Sequence, residues 1–367
     1  MILAGMMAVN AGSAVFAESE MPGIEGNMKF SYDAVFSYAQ KILPGHLSMF
    51  DYDSAHVEIS NVYPLNSLQN TGEGLYLCFA LENGRIIGEL TVAELPGGEF
   101  TSTFDLCSYP EVDEAAAKGE PIGFYSDDGA LYFMTNHSLT IIDRDAISES
   151  QPGIIARQAN KVSLTKMESK PISGAYDVYG ISSTANPLYK CKYEVKIVKN
   201  PTNTNYNKGN GICWAACVAS KVRYEIVSYH NKELTAEEVY DATEAANNDG
   251  VGEGKERYQK GLAVYGITAN DNKDNRVLPF SELHNKMKNG NLVIMRLKRD
   301  GGSHAVVLSG YQIFSEAEGG YYYIMDPNKT RMMSVSVSGN QYKTGENIHY
   351  KPGSDRDYTW FDSMYTK

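Results

Sequence analysis

Disulfide scaffolds, zinc ribbons and thioredoxin-type redox pairs need cysteine in quantity or at close spacing. This chain has 5 cysteines in 367 residues and no CxxC pair. Basic residues are also in deficit: 33 Lys and Arg against 45 Asp and Glu leave a net charge of −12, with no basic run. The footprint of a phosphate-backbone binder is therefore missing, and nucleic acid is excluded as a partner. Neither HExxH, HxxEH nor GxSxG occurs, which removes the anchors of zinc peptidases and of elbow-type serine hydrolases. His46, His56, His137, His230, His284 and His349 have no second ligand at metal spacing, so no metal and no organic cofactor is expected. Repeats, heptads and low-complexity tracts are absent too. Apolar residues are not lacking: at 43% hydrophobic and 367 residues, the chain can build two cores.

The only long apolar run is at the start. Met1 to Phe16 is apolar and small except for Asn10 and Ser13, and Val15-Phe16-Ala17 precedes Glu18. This reads as a secretory signal cleaved after Ala17, although no Lys or Arg precedes it; a buried N-terminal helix is the alternative. No other stretch approaches the ~20 apolar residues of a membrane span, so the expected location is secreted, outside the cell or at its surface.

Hydrophobic spacing divides the remainder in two. Phe30, Ala34, Tyr38 and Ile42 recur at i+4 steps and predict a helix from Met28 to Leu43, stopped by Pro44-Gly45. The period then falls to two. Leu75 to Leu81 and Ile86 to Val92 flank Asn83-Gly84, the signature of a type I′ hairpin. A second hairpin is expected from Ile122 to Tyr125 and Leu131 to Met134 around Asp128-Gly129, followed by a strand from Ser138 to Ile142. One helix against an antiparallel meander makes a small α+β domain. From Ser148 to Pro187 the pattern dissolves into Ser, Gly, Lys and Pro and reads as a linker or exposed loop. Beyond it a buried helix is expected from Cys213 to Ser228, a second from the Thr235–Glu238 capping box to Ala246, and a third from Ser281 to Lys288. Strands follow at Leu292 to Leu297, Ala305 to Tyr311, Tyr321 to Met325 and Met333 to Val337, so the second domain puts helices before its sheet.

Three residues carry chemistry. Cys213 opens a helix after Asn210-Gly211, where unpaired N–H groups and the macrodipole favour the thiolate. A thiolate needs a proton partner, most often histidine, and His304 starts a strand after Gly301-Gly302-Ser303. Asp326 closes the next strand and can orient the imidazole, because antiparallel neighbours bring His304 and Asp326 to the same end of a sheet.

These blocks, Gly-Ile-Cys213-Trp-Ala-Ala, Gly-Gly-Ser-His304-Ala-Val-Val-Leu-Ser-Gly-Tyr and Ile-Met-Asp326-Pro-Asn, resemble the papain-like cysteine peptidases. The likeness is nearest to the bacterial branches that include staphopains, streptopain and peptidases similar to double-glycine leader peptidases. It spans Leu188 to Lys367 and implies an α+β catalytic domain with a helical part bearing Cys213 and an antiparallel sheet bearing His304 and Asp326. It also implies roles: Cys213 as nucleophile, His304 as base then acid, Asp326 as orienter. The plant enzymes have Asn where Asp326 stands. Where the family places a Gln oxyanion donor, six residues before the cysteine, this chain has Asn207, one methylene shorter, with Asn210 as fallback. Losing one such donor costs about 2.7–4 kcal/mol.

The segment from Asn61 to Leu90 is similar to inhibitory propeptides of streptopain-like and staphopain-like zymogens, against the alternative of a separate binding domain. The resulting organisation is a signal peptide at 1–17, a propeptide-like α+β domain at 18–147 that acts as intramolecular inhibitor, a processing region at 148–187 and a peptidase domain at 188–367. The expected activity is a secreted cysteine endopeptidase acting on protein or peptide substrates. Two rivals keep the same residues: a transglutaminase or acyltransferase, and a papain-like module that binds without turnover. Cys217 and Cys78 read as core, while Cys107 and Cys191 lie near loops, with a Cys78–Cys107 disulfide left open. Gly250 to Glu256 and Asp271 to Asn275 read as flexible and solvated loops, not as phosphate or calcium sites. Tyr358-Thr-Trp360-Phe is expected in the core, with a substrate groove as the alternative.

Overall fold

The computed structural model describes residues 31–67, 74–95, 98–127, 129–145, 162–172, 187–201, 206, 211–270, 276–315, 319–352 and 356–367. The signal-peptide expectation, Asn207, Asn210 and Asp271 to Asn275 lie outside the described residues.

The first helix, α1 (Tyr32–Met49), is capped by Ser31, whose Oγ accepts the Ala34 N–H at 3.3 Å. It does not stop at Pro44-Gly45 as its sequence suggests. An interior proline forfeits a helical hydrogen bond and costs about 3 kcal/mol, yet the turn beyond it is fully packed. Gly45 lies under the Tyr321 ring so closely that a Cβ would sit 2.1 Å from the Tyr321 hydroxyl. His46, Leu47 and Met49 are buried beside it, and tertiary packing outweighs the local penalty.

Strands β1 (Val57–Ser60), β2 (Tyr63–Ser67), β3 (Leu75–Glu82), β4 (Arg85–Glu94) and β5 (Phe100–Leu106) follow. Asn83 and Gly84, at φ 52° and 73°, make the tight β3–β4 turn, since only left-handed backbone matches the strand twist there. Helix α2 (Pro110–Ala117) then leads to β6 (Gly123–Asp127), β7 (Ala130–Met134) and β8 (Leu139–Arg144). This region is not the all-antiparallel meander of the sequence reading. β6 runs parallel to β2, with Leu65 opposite Phe124, because α2 lies in the crossover that carries the chain back across the layer.

The segment read as linker is partly structured. Val162 and Ile172 are buried, Thr165 bridges Ile122, and β9 (Ser169–Pro171) pairs with β1. Its apolar residues are too widely spaced to show a period.

The second half contains β10 (Tyr189–Lys192), α3 (Cys213–Glu225), α4 (Ala236–Ala246), α5 (Glu256–Val264) and α6 (Phe280–Lys288). It continues with β11 (Val293–Arg299), β12 (Gly302–Ser315), β13 (Gly319–Asp326), β14 (Arg331–Ser338), α7 (Gly339–Thr344), β15 (His349–Tyr350) and β16 (Tyr358–Met364). α4 carries the expected capping box between Thr235 and Glu238. The result is a mixed α+β structure whose strands form one extended sheet, in the order β15-β16-β11-β12-β13-β14-β5-β4-β3-β2-β6-β7-β8. The halves join where Ser334 and Val335 of β14 pair with Phe104 and Thr103 of β5. One hydrophobic cluster spans this joint, placing Val35, Ile42 and Phe104 with Tyr321 and Tyr323. A second cluster packs α3, α4 and α5 against β11 and β12. No described helix is long and apolar enough to cross a membrane.

Candidate active site

Helix α3 owes its position to an apolar surface on almost every side. Trp214 to Val222 are all buried, and the fully buried Lys221 anchors the far end through Glu225 and the Leu292 carbonyl. Its first residue is Cys213, half-buried, with Ile212 at the cap and no side chain capping the first-turn N–H groups. Those donors and the positive end of the macrodipole lie in the turn that Cys213 opens.

His304 is the third residue of β12 and Asp326 the last of β13, and the antiparallel pairing of Val307 with Met325 brings them together. His304 Nε2 lies 2.8 Å from Asp326 Oδ1, with His304 3% and Asp326 1% exposed. A carboxylate only accepts, so Nε2 carries the proton and Nδ1 is the ring nitrogen left for a thiol. Asp326 also accepts the Asn328 backbone N–H at 2.7 Å and the Tyr350 hydroxyl. Tyr358 backs the imidazole, its ring centre 5.3 Å away.

Electrostatics favour a charged imidazole. Burial alone would lower the His304 pKa, but the Asp326 charge and hydrogen bond, reinforced by the Cys213 side chain, raise it well above the ordinary value. Burial would likewise raise Asp326, and it is overridden by His304, Tyr350 and Asn328, which hold the carboxyl at about 2. The three sequence-predicted residues thus converge, whereas Asn207 falls outside the described residues. Such a site can stabilise a thiolate–imidazolium pair and pass one proton.

Sequence reading missed two sets of residues. Asn200, fully buried, accepts the Ile212 N–H through Oδ1 at 2.6 Å and donates through Nδ2 to Asn328 Oδ1 at 2.6 Å. Nothing in its local sequence marks it apart from the extended geometry imposed by Pro201. The second set grips the turn after Asp326. Lys329 pairs with Asp143 at 2.6 Å and Asp145 at 3.0 Å, and Arg331 with Asp105 at 2.8 Å and Asp143 at 2.6 Å. Arg356 completes the cluster on Asp145 at 2.9 Å.

Other candidates resolve into structure. Lys255, in the glycine-rich loop, pairs with the buried Asp362, and Trp360 is buried in β16. All five cysteines are free thiols, so Cys78 and Cys107 are not joined.

Residues 192–350 match the family model described as Peptidase_C39 like family. No curated protein matches the chain.

Proposed function

From the premise that residues 192–350 belong to the papain-like cysteine peptidase superfamily, we propose that this chain is a cysteine endopeptidase working through Cys213, His304 and Asp326. The observation that carries the reading is the buried 2.8 Å contact between His304 Nε2 and Asp326 Oδ1, together with the interaction of His304 with Cys213 at the amino end of α3. The Cys213 thiolate attacks the scissile carbonyl carbon and forms a C–S bond. The oxyanion meets the Cys213 backbone N–H and, in this proposal, the Asn207 amide. Collapse breaks the C–N bond as the His304 imidazolium protonates the leaving amine. His304 then takes a proton from water, the hydroxide adds to the thioester carbon, and collapse breaks the C–S bond, releasing the acid product and restoring the Cys213 thiolate beside the His304 imidazolium.

The proposal extends to biosynthesis. Residues 1–17 direct export, residues 18–147 act as intramolecular inhibitor, and cleavage within 148–187 activates the enzyme. The grip of Asp105, Asp143 and Asp145 on Lys329 and Arg331, just after Asp326, supports a restraint exerted by the N-terminal unit on the site.

The test is an intact-mass time course of the purified chain in mild reductant beside Cys213→Ala, with cleavage of an unfolded protein followed in parallel. The expected result is conversion to a species beginning between Ser148 and Leu188, and cleavage, in the wild type alone. A matured protein that cleaves nothing but couples a labelled amine to glutamine-containing protein would move the reading to acyl transfer.

A further inference from the structure

Cys213 and His304 belong to different layers. Cys213 sits on a helix and His304 on a strand, and a productive pair needs their relative placement held to a fraction of an ångström. Helix α3 has no side-chain cap, so something else must fix its first residue. Asn200 meets that need. It stands in the described stretch 193–201 that follows β10, is fully buried, and makes three hydrogen bonds to the two pieces that must be aligned. Its Oδ1 accepts the N–H of Ile212, the residue directly before Cys213, at 2.6 Å. Its Nδ2 donates to Asn328 Oδ1 at 2.6 Å, and its own N–H donates to the Pro327 carbonyl at 2.9 Å. Asn328 in turn donates its backbone N–H to Asp326 Oδ1, the oxygen that receives His304 Nε2–H.

We infer that Asn200 is a positioning residue for the Cys213–His304 pair: it ties the amino end of α3 to the Pro327-Asn328 turn, so that thiol and imidazole are held in register by one side chain. The inference rests on the peptidase reading above. Asn200 touches no reacting atom. It acts on the sulfur through Ile212 and on the ring through Asn328 and Asp326. Its amide suits this task because one face accepts and the other donates, which neither Asp nor Leu of similar size reproduces. A displacement of about 1 Å at a reacting centre costs on the order of 10²-fold in rate.

The experiment compares wild type, Asn200→Ala, Asn328→Ala and the double variant, each as the full chain matured in the same way. Rates are normalised to alkylation-titrated Cys213, and the pH profile of Cys213 alkylation by iodoacetamide is recorded beside them. Asn200→Ala is expected to lose kcat by about 30–100-fold with KM within about twofold, and to lose alkylation on the acid side of the profile. Asn328→Ala, which leaves the bonds to Ile212 and Pro327 intact, is expected to fall about 3–10-fold, and the double variant no further than Asn200→Ala, because the two act in series. A purely structural Asn200 would lower the titrated fraction or the melting temperature while kcat per titrated site and the alkylation profile stayed at wild type. That result, in whichever of the two single variants folds, overturns the proposal. Failure of the wild type itself to cleave or to alkylate on the acid side would instead remove the peptidase reading.

Discussion

Two buried charged clusters lie on either side of the Asp326–Arg331 turn, and they balance charge in opposite ways. At the site one carboxylate faces one imidazole and also accepts a hydroxyl and a backbone N–H, so Asp326 is held at about 2. Across the turn four carboxylates, Glu89, Asp105, Asp143 and Asp145, share Lys329, Arg331 and Arg356. Burial, with neighbouring carboxylates adding to it, pushes Glu89 and Asp105 above the ordinary range, and a protonated Glu89 leaves three charges of each sign. Desolvation is common to both clusters. What separates them is the count of hydrogen bonds and cations per carboxylate, so perturbed pKa values alone do not mark the reacting centre. In the proposed reading one cluster holds a charge ready for transfer, while the other joins two halves of a sheet.

The sharpest division between them is chemical. Cys213→Ala is expected to lower peptide cleavage by at least about 10⁴-fold while leaving the melting temperature nearly unchanged; His304→Ala should lower cleavage as far but also lower the melting temperature, because the buried Asp326 loses its partner, measured by initial rates and calorimetry. Lys329→Met should do the reverse to stability. It strands Asp143 and Asp145 without their shared cation, and unfolding in denaturant is expected to show a loss of about 3–5 kcal/mol. If Lys329→Met leaves stability intact, the clamp is not a clamp.

Smaller effects probe the joint between the halves. Gly45→Ala places a methyl into the Tyr321 ring, which is itself buried and bonded to the Ile42 carbonyl, and should cost about 1–3 kcal/mol. The smallest expected effect is the pH dependence of stability. Asp326, held low, stabilises the fold above its ordinary value of 3.8, and that contribution is lost as pH falls towards 2. Glu89, held high, contributes most below its ordinary value of 4.5, and its contribution is lost as pH rises through its raised value. Melting temperatures should therefore decline from mildly acidic to neutral pH, and Glu89→Gln, a permanent mimic of the protonated acid, should flatten that decline.

What the sequence discloses and what it hides follow the same division. Cys213, His304 and Asp326 could be picked out because each has a reactive side chain at the end of an element with a clear hydrophobic period, and two antiparallel strands dictate where their ends meet. The end of helix α1 is hidden from its own sequence because the reason it passes Pro44 lies in Tyr321, Ser334 and Ser102, the last two bonding His46 at 2.6 and 2.9 Å. Lys329 and Arg331 look like solvated charges until β5 and β8 are folded against them. Asn200 is the extreme case: its partner Asn328 is 128 residues away, and nothing about an Asn-Pro pair in an extended segment announces a hydrogen bond to a helix amino end.

The central claim is that His304 and Cys213 act as one charged pair. The direct measurement is the rate of iodoacetamide alkylation at Cys213, followed by peptide mass from about pH 4 to 9, in wild type and His304→Ala. A wild-type rate that persists at about pH 5, and collapses there in His304→Ala, is the predicted result. Superimposable profiles that both fade below the range of an ordinary thiol, about 8.5, would contradict it.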